Sequence, residues 1–202
     1  MLSARTLDSD GHSFLKDGLM MSIGRKRTRE ENYQEYLRLI DDPDYLEVTF
    51  DEQSGGVTAI HRLHRFDKQK GPFGYSRGEY ERHVLLTLRE YGHQIILLPE
   101  VDNKTSVKSC DGILDDMMVE IKTIEGDGHW AVRTKIYDAA RQGADVLAFF
   151  FPKSDLFTIG RIEEGWKMCE DDSESTTACR KPISRILAVV ESRLIEIPKP
   201  PG

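Results

Sequence analysis

An uninterrupted apolar run is the feature that most constrains the fold of this chain. Residues Val146 to Phe151 (VLAFFF) include no polar side chain, and six residues is the usual length of a strand rather than of a helix. Because successive side chains of a strand point to opposite faces of its sheet, an all-apolar strand must be covered on both faces. The run therefore predicts a central sheet with helices packed on both sides.

The segments around this strand supply the other elements of the core. In chain order we expect a helix at Glu79–Tyr91, a strand at Gln94–Leu98, a hairpin of Ser109–Leu114 with Met117–Ile124, a helix at Trp130–Gln142, the apolar strand, a weaker strand at Leu156–Ile162, a short helix at Glu163–Glu170, a loop at 171–181 and a last hairpin of Ile186–Val190 with Arg193–Ile197. Up to the apolar strand the order is αβββαβ, which predicts the α/β (α+β) class with a mixed central sheet.

The N-terminal third has a different pattern. Residues 1–27 lack periodicity, which is typical of a flexible arm. Residues 28–70 predict a small helix and hairpin segment, because Thr28-x-x-Glu31 fits a capping box ahead of a helix to Ile40 and two short strands follow at 46–50 and 57–61. The Lys-, Gly- and Pro-rich stretch at 67–78 is the expected boundary, so the main domain is predicted at 71–202.

Composition narrows the class of protein. Hydrophobic residues make up 39% of the chain and charged residues 31%, with no stretch long enough to span a membrane and no signal peptide. The formal net charge of −7 argues against broad, nonspecific binding to nucleic acid, although it leaves room for a local basic groove. The three cysteines lack metal-binding spacing, which favours reduced thiols and a cytoplasmic location over a Cys169–Cys179 disulfide.

The hairpin around Asp115-Asp116 carries the most informative side chains. If these two residues form the turn, Asp111 lies opposite Glu120, and opposed residues of a strand pair share a face. Lys122 shares that face by alternation. A three-residue loop would shift the register and separate the two acids.

Two opposed carboxylates repel each other unless a cation lies between them, and carboxylate oxygens suit Mg²⁺ or Mn²⁺. Asp111 and Glu120 are therefore candidate metal ligands, and Lys122 is a candidate catalytic residue that would orient the attacking water or neutralise charge on a phosphate. The competing interpretation is a solvated strand face, since an acid-x-Lys triplet is common in a chain this charged.

Glu81 belongs to the predicted helix at Glu79–Tyr91 and falls within its apolar stripe, near Val84 and Leu88, whereas Glu79 faces water. A carboxylate directed at a sheet needs a partner. Glu81 is therefore a third candidate metal ligand and a supporting catalytic acid; the alternative is a salt bridge to Arg133 or Lys122.

Three further residues are weaker candidates for substrate contact, and ordinary helix surface explains them as well. They are His129, Arg133 and Gln142, on or next to the helix at Trp130–Gln142. His61 and His64 would point to opposite faces of a strand, which favours a basic docking surface or a structural role over a pair of metal ligands.

Taken together, the stretches Gly78-Glu-Tyr-Glu81, Gly92-His-Gln-Ile-Ile-Leu-Leu-Pro-Glu100, Cys110-Asp111-Gly112, Val119-Glu120-Ile-Lys122-Thr123 and Ala140-Arg-Gln142-Gly-Ala-Asp-Val146 resemble the PD-(D/E)xK nuclease superfamily. More narrowly, residues 71–197 are similar to the C-terminal tRNA-nuclease domain of contact-dependent inhibition (CdiA) toxins and its phage and mobile-element relatives. The resemblance implies a restriction-endonuclease-like core, with Asp111 and Glu120 as metal ligands, Lys122 as catalytic lysine and Glu81 as supporting acid.

The resemblance also implies a substrate, a partner protein and a means of delivery. A tRNA or other RNA substrate is favoured over DNA, an immunity or inhibitor protein would be a partner, and an unseen carrier could deliver the chain to another cell's cytoplasm. Two other functions stay open: a DNA endonuclease of the same fold, which would need a broader basic cleft, and a non-catalytic binding protein of a mobile element.

Overall fold

The structure is a computed structural model that describes residues 25–100, 110–171 and 183–198, together with the backbone of two short paired strands. The predicted arm at 1–27 lies outside the described residues except for 13–14, 20–21 and 25–27, and the predicted loop at 171–181 lies outside them after residue 171, which ends a helix. The helices are α1 (Arg29–Ile40), α2 (Arg77–Glu90), α3 (His129–Gln142) and α4 (Ile159–Asp171). The strands are β1 (Ser13–Phe14), β2 (Met20–Met21), β3 (Tyr45–Phe50), β4 (Val57–His61), β5 (Gln94–Leu97), β6 (Gly112–Leu114), β7 (Met117–Thr123), β8 (Val146–Phe151), β9 (Arg185–Val190) and β10 (Arg193–Ile197).

One eight-stranded mixed sheet organises the molecule, in the order β10-β9-β8-β7-β6-β5-β4-β3. The strands β7, β8 and β9 are parallel, as are β4 and β5, and the other neighbours are antiparallel. The elements from α2 to β8 follow the expected αβββαβ order, and the expected mixed α/β class is confirmed. The hairpin of β3 and β4 joins the same sheet through β5.

Both faces of the sheet are covered, as the apolar run required. All six residues of β8 are buried. On one face Tyr80, Val84 and Leu88 of α2 pack against the sheet, and on the other face Val132 and Ile136 of α3 pack with α4. A third cluster joins Leu39 of α1 to Val57, Ala59 and Ile96, and the alternation of β5 places it on the α3 side of the sheet.

The helix ends follow local sequence signals. Thr28 and Glu31 form the expected capping box of α1, and Ser76 and Glu79 form a second one that starts α2. Gly92, with φ of 78°, takes the left-handed conformation after α2, where a side chain would be strained. These caps fix where α2 begins and therefore which of its residues face the sheet.

The predicted strand at Leu156–Ile162 is wrong. Ser154–Leu156 forms a 3₁₀ turn, and α4 begins at Ile159 after Thr158, whose Oγ1 accepts a hydrogen bond from the Arg161 N–H at 3.2 Å. The buried residues Ile162, Trp166 and Cys169 recur at helical spacing and pack toward α3. Burial on one helix face, rather than strand alternation, explains this apolar pattern.

Cysteine pairing also departs from expectation. Cys110 is free and buried, whereas Cys169 is disulfide-bonded, so the expectation of reduced thiols is wrong for Cys169. Disulfide formation depends on the distance between two backbones, which cysteine spacing alone does not give. Within the described parts of the chain, no helix has the length and apolarity needed to cross a membrane.

Candidate active site

The turn that sets the site is Asp115-Asp116, as expected. Both residues have positive φ, 46° and 68°, which is the requirement of a two-residue hairpin turn that aspartate tolerates. The Asp115 carboxylate is buried, accepts the Gln94 N–H at 3.1 Å and lies 2.6 Å from Nδ1 of His93. These contacts hold the hairpin of β6 and β7 to β5.

The predicted register of this hairpin is confirmed. Leu114 pairs with Met117, Ile113 with Met118 and Gly112 with Val119. The next pair along would be Asp111 and Glu120, which brings the two acids to the same end of the hairpin. A side chain at Gly112 would come within 2.5 Å of the Ile96 carbonyl oxygen, so the close approach of β6 to β5 beside Asp111 requires glycine.

Beyond Gly112, side-chain carboxylates rather than backbone carbonyl groups accept the hydrogen bonds between the two chain segments. The Glu120 carboxylate accepts the Asp111 N–H at 3.2 Å, and the Asp111 carboxylate accepts the Ile121 N–H at 2.7 Å. Strand β7 continues to Thr123 while β6 starts only at Gly112. The two acids therefore lie at the point where β6 ends and β7 continues beside β8 alone.

Lys122 occupies the same face of β7 as Glu120. Its ammonium donates to Glu120 Oε1 and, at 3.0 Å, to Oε1 of Gln142 at the last turn of α3. The lysine is thus held by one strand and one helix. A fixed ammonium of this kind can stabilise negative charge that develops beside it.

Glu81 reaches the site from the other side of the sheet. Its side chain is 17% exposed, and Oε1 lies 3.2 Å from Nε2 of the buried His64, without the alignment of a hydrogen bond. Among these described residues, the alternative salt bridge from Glu81 to Arg133 or Lys122 does not form. Burial lowers the pKa of His64, but the nearby Glu81 carboxylate and the Leu98 carbonyl raise it by more, so the net shift is upward.

A cavity of about 300 Å³ joins these groups. Its acidic lining residues are Asp67, Glu81, Glu100, Asp111 and Glu125, its basic ones are Arg65, Arg77, Lys122 and Lys135, and Ile121 and Thr123 complete it. The predicted residues Glu81, Asp111 and Lys122 therefore share one cavity. Glu120 is not among its lining residues; it is buried and accepts a hydrogen bond from Lys122. The mixed charges suit a ligand that carries an anion and a cation together.

Burial of these charged groups close together shifts the pKa values of two carboxyl groups and one lysine. Burial, with the charges of Glu120 and Glu81, raises the pKa of Asp111 to about 8. Burial also raises the pKa of Glu120, although Lys122 opposes this. Burial first and then the charge of Lys122 lower the pKa of Lys135. Two neighbouring carboxyl groups with raised pKa values, Asp111 and Glu120, are a marker of functional sites.

The donor set fits a hard divalent cation in its chemistry. Carboxylates from Asp111, Glu120 and Glu81 offer oxygen ligands, and Oε1 of Glu81 is buried without a hydrogen-bond donor. Each carboxylate oxygen already engaged by an N–H retains a further acceptor position. Across the described ranges, however, no three acidic, histidine or cysteine side chains are already arranged around a common metal position.

Of the weaker candidates, the structure brings only Gln142 to the site. His129 lies at the start of α3, and its Nδ1 is 3.5 Å from Oε1 of Glu164 on α4. The guanidinium of Arg133 lies 5.3 Å from the ring centre of Trp130. Neither His129 nor Arg133 is among the residues that line the cavity.

Sequence reasoning missed several lining residues. The sequence favours a docking or structural role for His64, yet the buried ring of this residue contacts Glu81. Lys135 comes from α3, and Arg65, Asp67 and Arg77 come from the loop before α2 and from its first turn. The adjacency of His64 to Arg65 and Asp67 is the one signal in the sequence, but nothing local places that loop over the hairpin.

Comparison of the chain with protein-family models, with curated proteins and with solved structures gives no match.

Proposed function

We propose that this protein is a divalent-metal-dependent endonuclease of the PD-(D/E)xK type that hydrolyses phosphodiester bonds, most readily in RNA. The observation that carries the proposal is the meeting of Asp111, Glu120 and Lys122 at the end of one hairpin, with Glu81 of α2 in the cavity that Asp111 and Lys122 line. Repelling carboxylates next to an ammonium suit a bound metal ion and a phosphate.

Each residue has a physical task in this proposal. Asp111, Glu120 and Glu81 would hold Mg²⁺ or Mn²⁺, which when bound supplies a more acidic water and a positive charge for the phosphate. Lys122, fixed by Glu120 and Gln142, stabilises the charge that develops on the phosphate oxygens. His64 positions Glu81, and Lys135 and Arg77 contact flanking phosphates.

Charge favours RNA over long duplex DNA as the substrate. The chain carries a net charge of −7, and its cavity has both acidic and basic lining residues instead of forming a broad basic cleft. A tRNA is the specific substrate that the resemblance suggests. A toxin role and an immunity partner stay predictions.

A paired assay tests the proposal. Full-length protein is incubated with total tRNA and with plasmid DNA, each with Mg²⁺, Mn²⁺ or EDTA, beside Lys122→Ala and Glu120→Gln. We expect metal-dependent cleavage of tRNA and a loss of about 10²-fold or more in each variant, the usual effect of removing one stabilising group from a transition state. Exposed residues of α4 provide matched controls, Lys167→Ala and Glu163→Gln, which should cut as the wild type does.

Two outcomes contradict the proposal. Metal-dependent cleavage that survives both Lys122→Ala and Glu120→Gln would place the reaction elsewhere. Absence of cleavage of both nucleic acids, together with no change of melting temperature on adding Mg²⁺ or Mn²⁺, would favour the non-catalytic binding protein.

A further inference from the structure

A second cavity, of about 510 Å³, lies on the α2 side of the sheet. This volume is within the range of small-molecule sites, about 300–1,000 Å³. Five of its lining residues carry aromatic rings: Phe73, Tyr75, Tyr80, His83 and Phe150. Pro152, Lys153, Glu79, Glu191 and Ser192 form the rest of its lining.

The rings enclose the space from several directions. Phe150 is 4% exposed, and its ring centre lies 5.4 Å from Tyr80 and 5.2 Å from His83. Tyr75, whose ring centre is 6.3 Å from Tyr80, is 60% exposed. The cavity therefore has a buried aromatic floor and an exposed aromatic side, where a flat ring could stack.

Polar groups surround this aromatic space. The Lys153 ammonium lies 4.8 Å from the ring centre of Phe73 and is exposed to water. The Glu79 and Glu191 carboxylates each accept one backbone N–H, from Ser76 and Ser154, and retain further acceptor positions. A cation and several acceptors around flat apolar walls match a nucleobase with its attached phosphate better than a purely apolar ligand.

The aromatic cavity and the active-site cavity lie next to each other, lined by neighbouring strands. Phe150 of the aromatic cavity is the register partner of Thr123, which lines the active-site cavity on the next strand. A side chain at Gly71 would meet both the Tyr80 ring, at 2.6 Å, and Oε1 of Glu125, at 2.9 Å. Since neighbouring strands are about 4.8 Å apart, one nucleotide could reach both cavities.

We propose that the aromatic cavity binds an unstacked nucleobase of a single-stranded nucleic acid whose phosphodiester lies in the active-site cavity. This inference rests on the proposed function and specifies its substrate class. A base within a duplex cannot enter such a cavity without being unpaired, whereas loops and single strands present free base faces. Stacking on aromatic rings tolerates every base, so the cavity selects unpaired nucleotides rather than one sequence.

The test measures binding and cleavage separately. Kd is measured by fluorescence anisotropy in EDTA for a labelled single-stranded RNA of about 12 nucleotides, for the same RNA as a duplex, and for an abasic strand of equal length. The variants are Tyr75→Ala and Tyr75→Phe. The control is Tyr91→Ala, an exposed tyrosine at the opposite end of α2. Because Tyr75 is mostly exposed, its removal should leave folding intact, which thermal unfolding verifies.

We expect Tyr75→Ala to weaken binding of the single strand by about 5- to 150-fold, the effect of losing one stacked base. Tyr75→Phe should retain the affinity of the wild type, and Tyr75→Ala should lose nothing on the abasic strand or the duplex. Unchanged affinity in Tyr75→Ala, or an equal loss on the abasic strand, would overturn the proposal.

The failure of this proposal is distinguishable from failure of the nuclease assignment. Binding that depends on Tyr75 without any cleavage would keep the base site and reject the catalytic role. If cleavage depends on Lys122 but Tyr75→Ala changes neither its rate nor Kd, the nuclease assignment stands and the base site is rejected.

Discussion

The Asp111 carboxyl group combines a structural hydrogen bond with close neighbouring charges. It is the point where the β6–β7 ladder ends, it accepts the Ile121 N–H, and it lies near the charges of Glu120 and Glu81. Burying the Asp111 carboxylate close to two other acids costs free energy of folding, even though it accepts a hydrogen bond at the strand edge. Such a cost persists when the same geometry serves a ligand.

The pKa of Asp111 makes a prediction about stability. It is raised from 3.8 to about 8, so the folded chain holds a proton that the unfolded chain releases. The contribution of this group to the free energy of unfolding should therefore be most favourable below about pH 4 and decrease as the pH rises to about 8. In EDTA, Asp111→Asn should remove this decrease and be more stable than wild type at pH 8 to 9, by on the order of a few kcal/mol.

Urea unfolding between pH 5 and 9 measures this effect. The exposed Asp155→Asn is the control and should follow the wild type at every pH. A wild-type stability that rises from pH 5 to 8 relative to Asp111→Asn would contradict the upward pKa shift.

Helices α3 and α4 act as one packed layer behind the site. Gly165 of α4 lies against Val132 of α3, where an added Cβ would come within 2.7 Å of the valine side chain. The small residue lets the two helices approach closely. This packing fixes α3, which in turn brings Gln142 to Lys122 and Lys135 to the cavity.

Two glycines of α4 provide a matched test of this close packing. Gly165→Ala should destabilise the protein by about 1–3 kcal/mol because it overpacks the helix contact. Gly160→Ala, in the same helix with no neighbour within 4 Å of the added Cβ, should be neutral or stabilising by up to about 1 kcal/mol. Thermal and urea unfolding of both variants measure the difference; equal effects would show that α3 and α4 do not depend on the glycine contact.

At the scale of the whole molecule, the N-terminal segment belongs to the sheet that bears the site. Strand β4 pairs with β5, all four of whose residues are buried, and His64 follows β4 to reach Glu81. Asn32 of α1 donates from its side-chain amide to the carbonyl groups of Gly55 and Gly92, at 2.8 and 3.2 Å. These contacts connect the segment before residue 71 to the core formed by the rest of the sheet.

Removal of residues 1–70 should therefore abolish cooperative folding. The truncated chain would expose β5 as an apolar edge strand, which promotes aggregation, and would lack the His64 contact to Glu81. Size-exclusion chromatography and circular dichroism of residues 71–202 check this, with removal of residues 1–24 as the comparison. A monomeric truncated chain with a sharp thermal transition would contradict the prediction.

The hairpin shows how much of the site local sequence predicts. Strand alternation has a strict period of two residues, and aspartate tolerates the positive φ of the Asp115-Asp116 turn. These two rules suffice to predict that Asp111, Glu120 and Lys122 share one face of the hairpin. The helical angle of Glu81 likewise directs it to the sheet. The register of the hairpin and the burial of Glu81 were predictable because each depends on residues close in sequence.

The sequence alone determined the mixed sheet, the covered apolar strand β8 and the register of β6 with β7. Only the tertiary structure decided that β3 and β4 extend that sheet and that α4 begins at Ile159 within the predicted strand Leu156–Ile162. It also decided that Arg65 and Lys135 line one cavity and that His64 contacts Glu81 there. The physical reason is range: periodicity and turn chemistry act over a few residues, whereas contacts between distant segments depend on how whole surfaces pack.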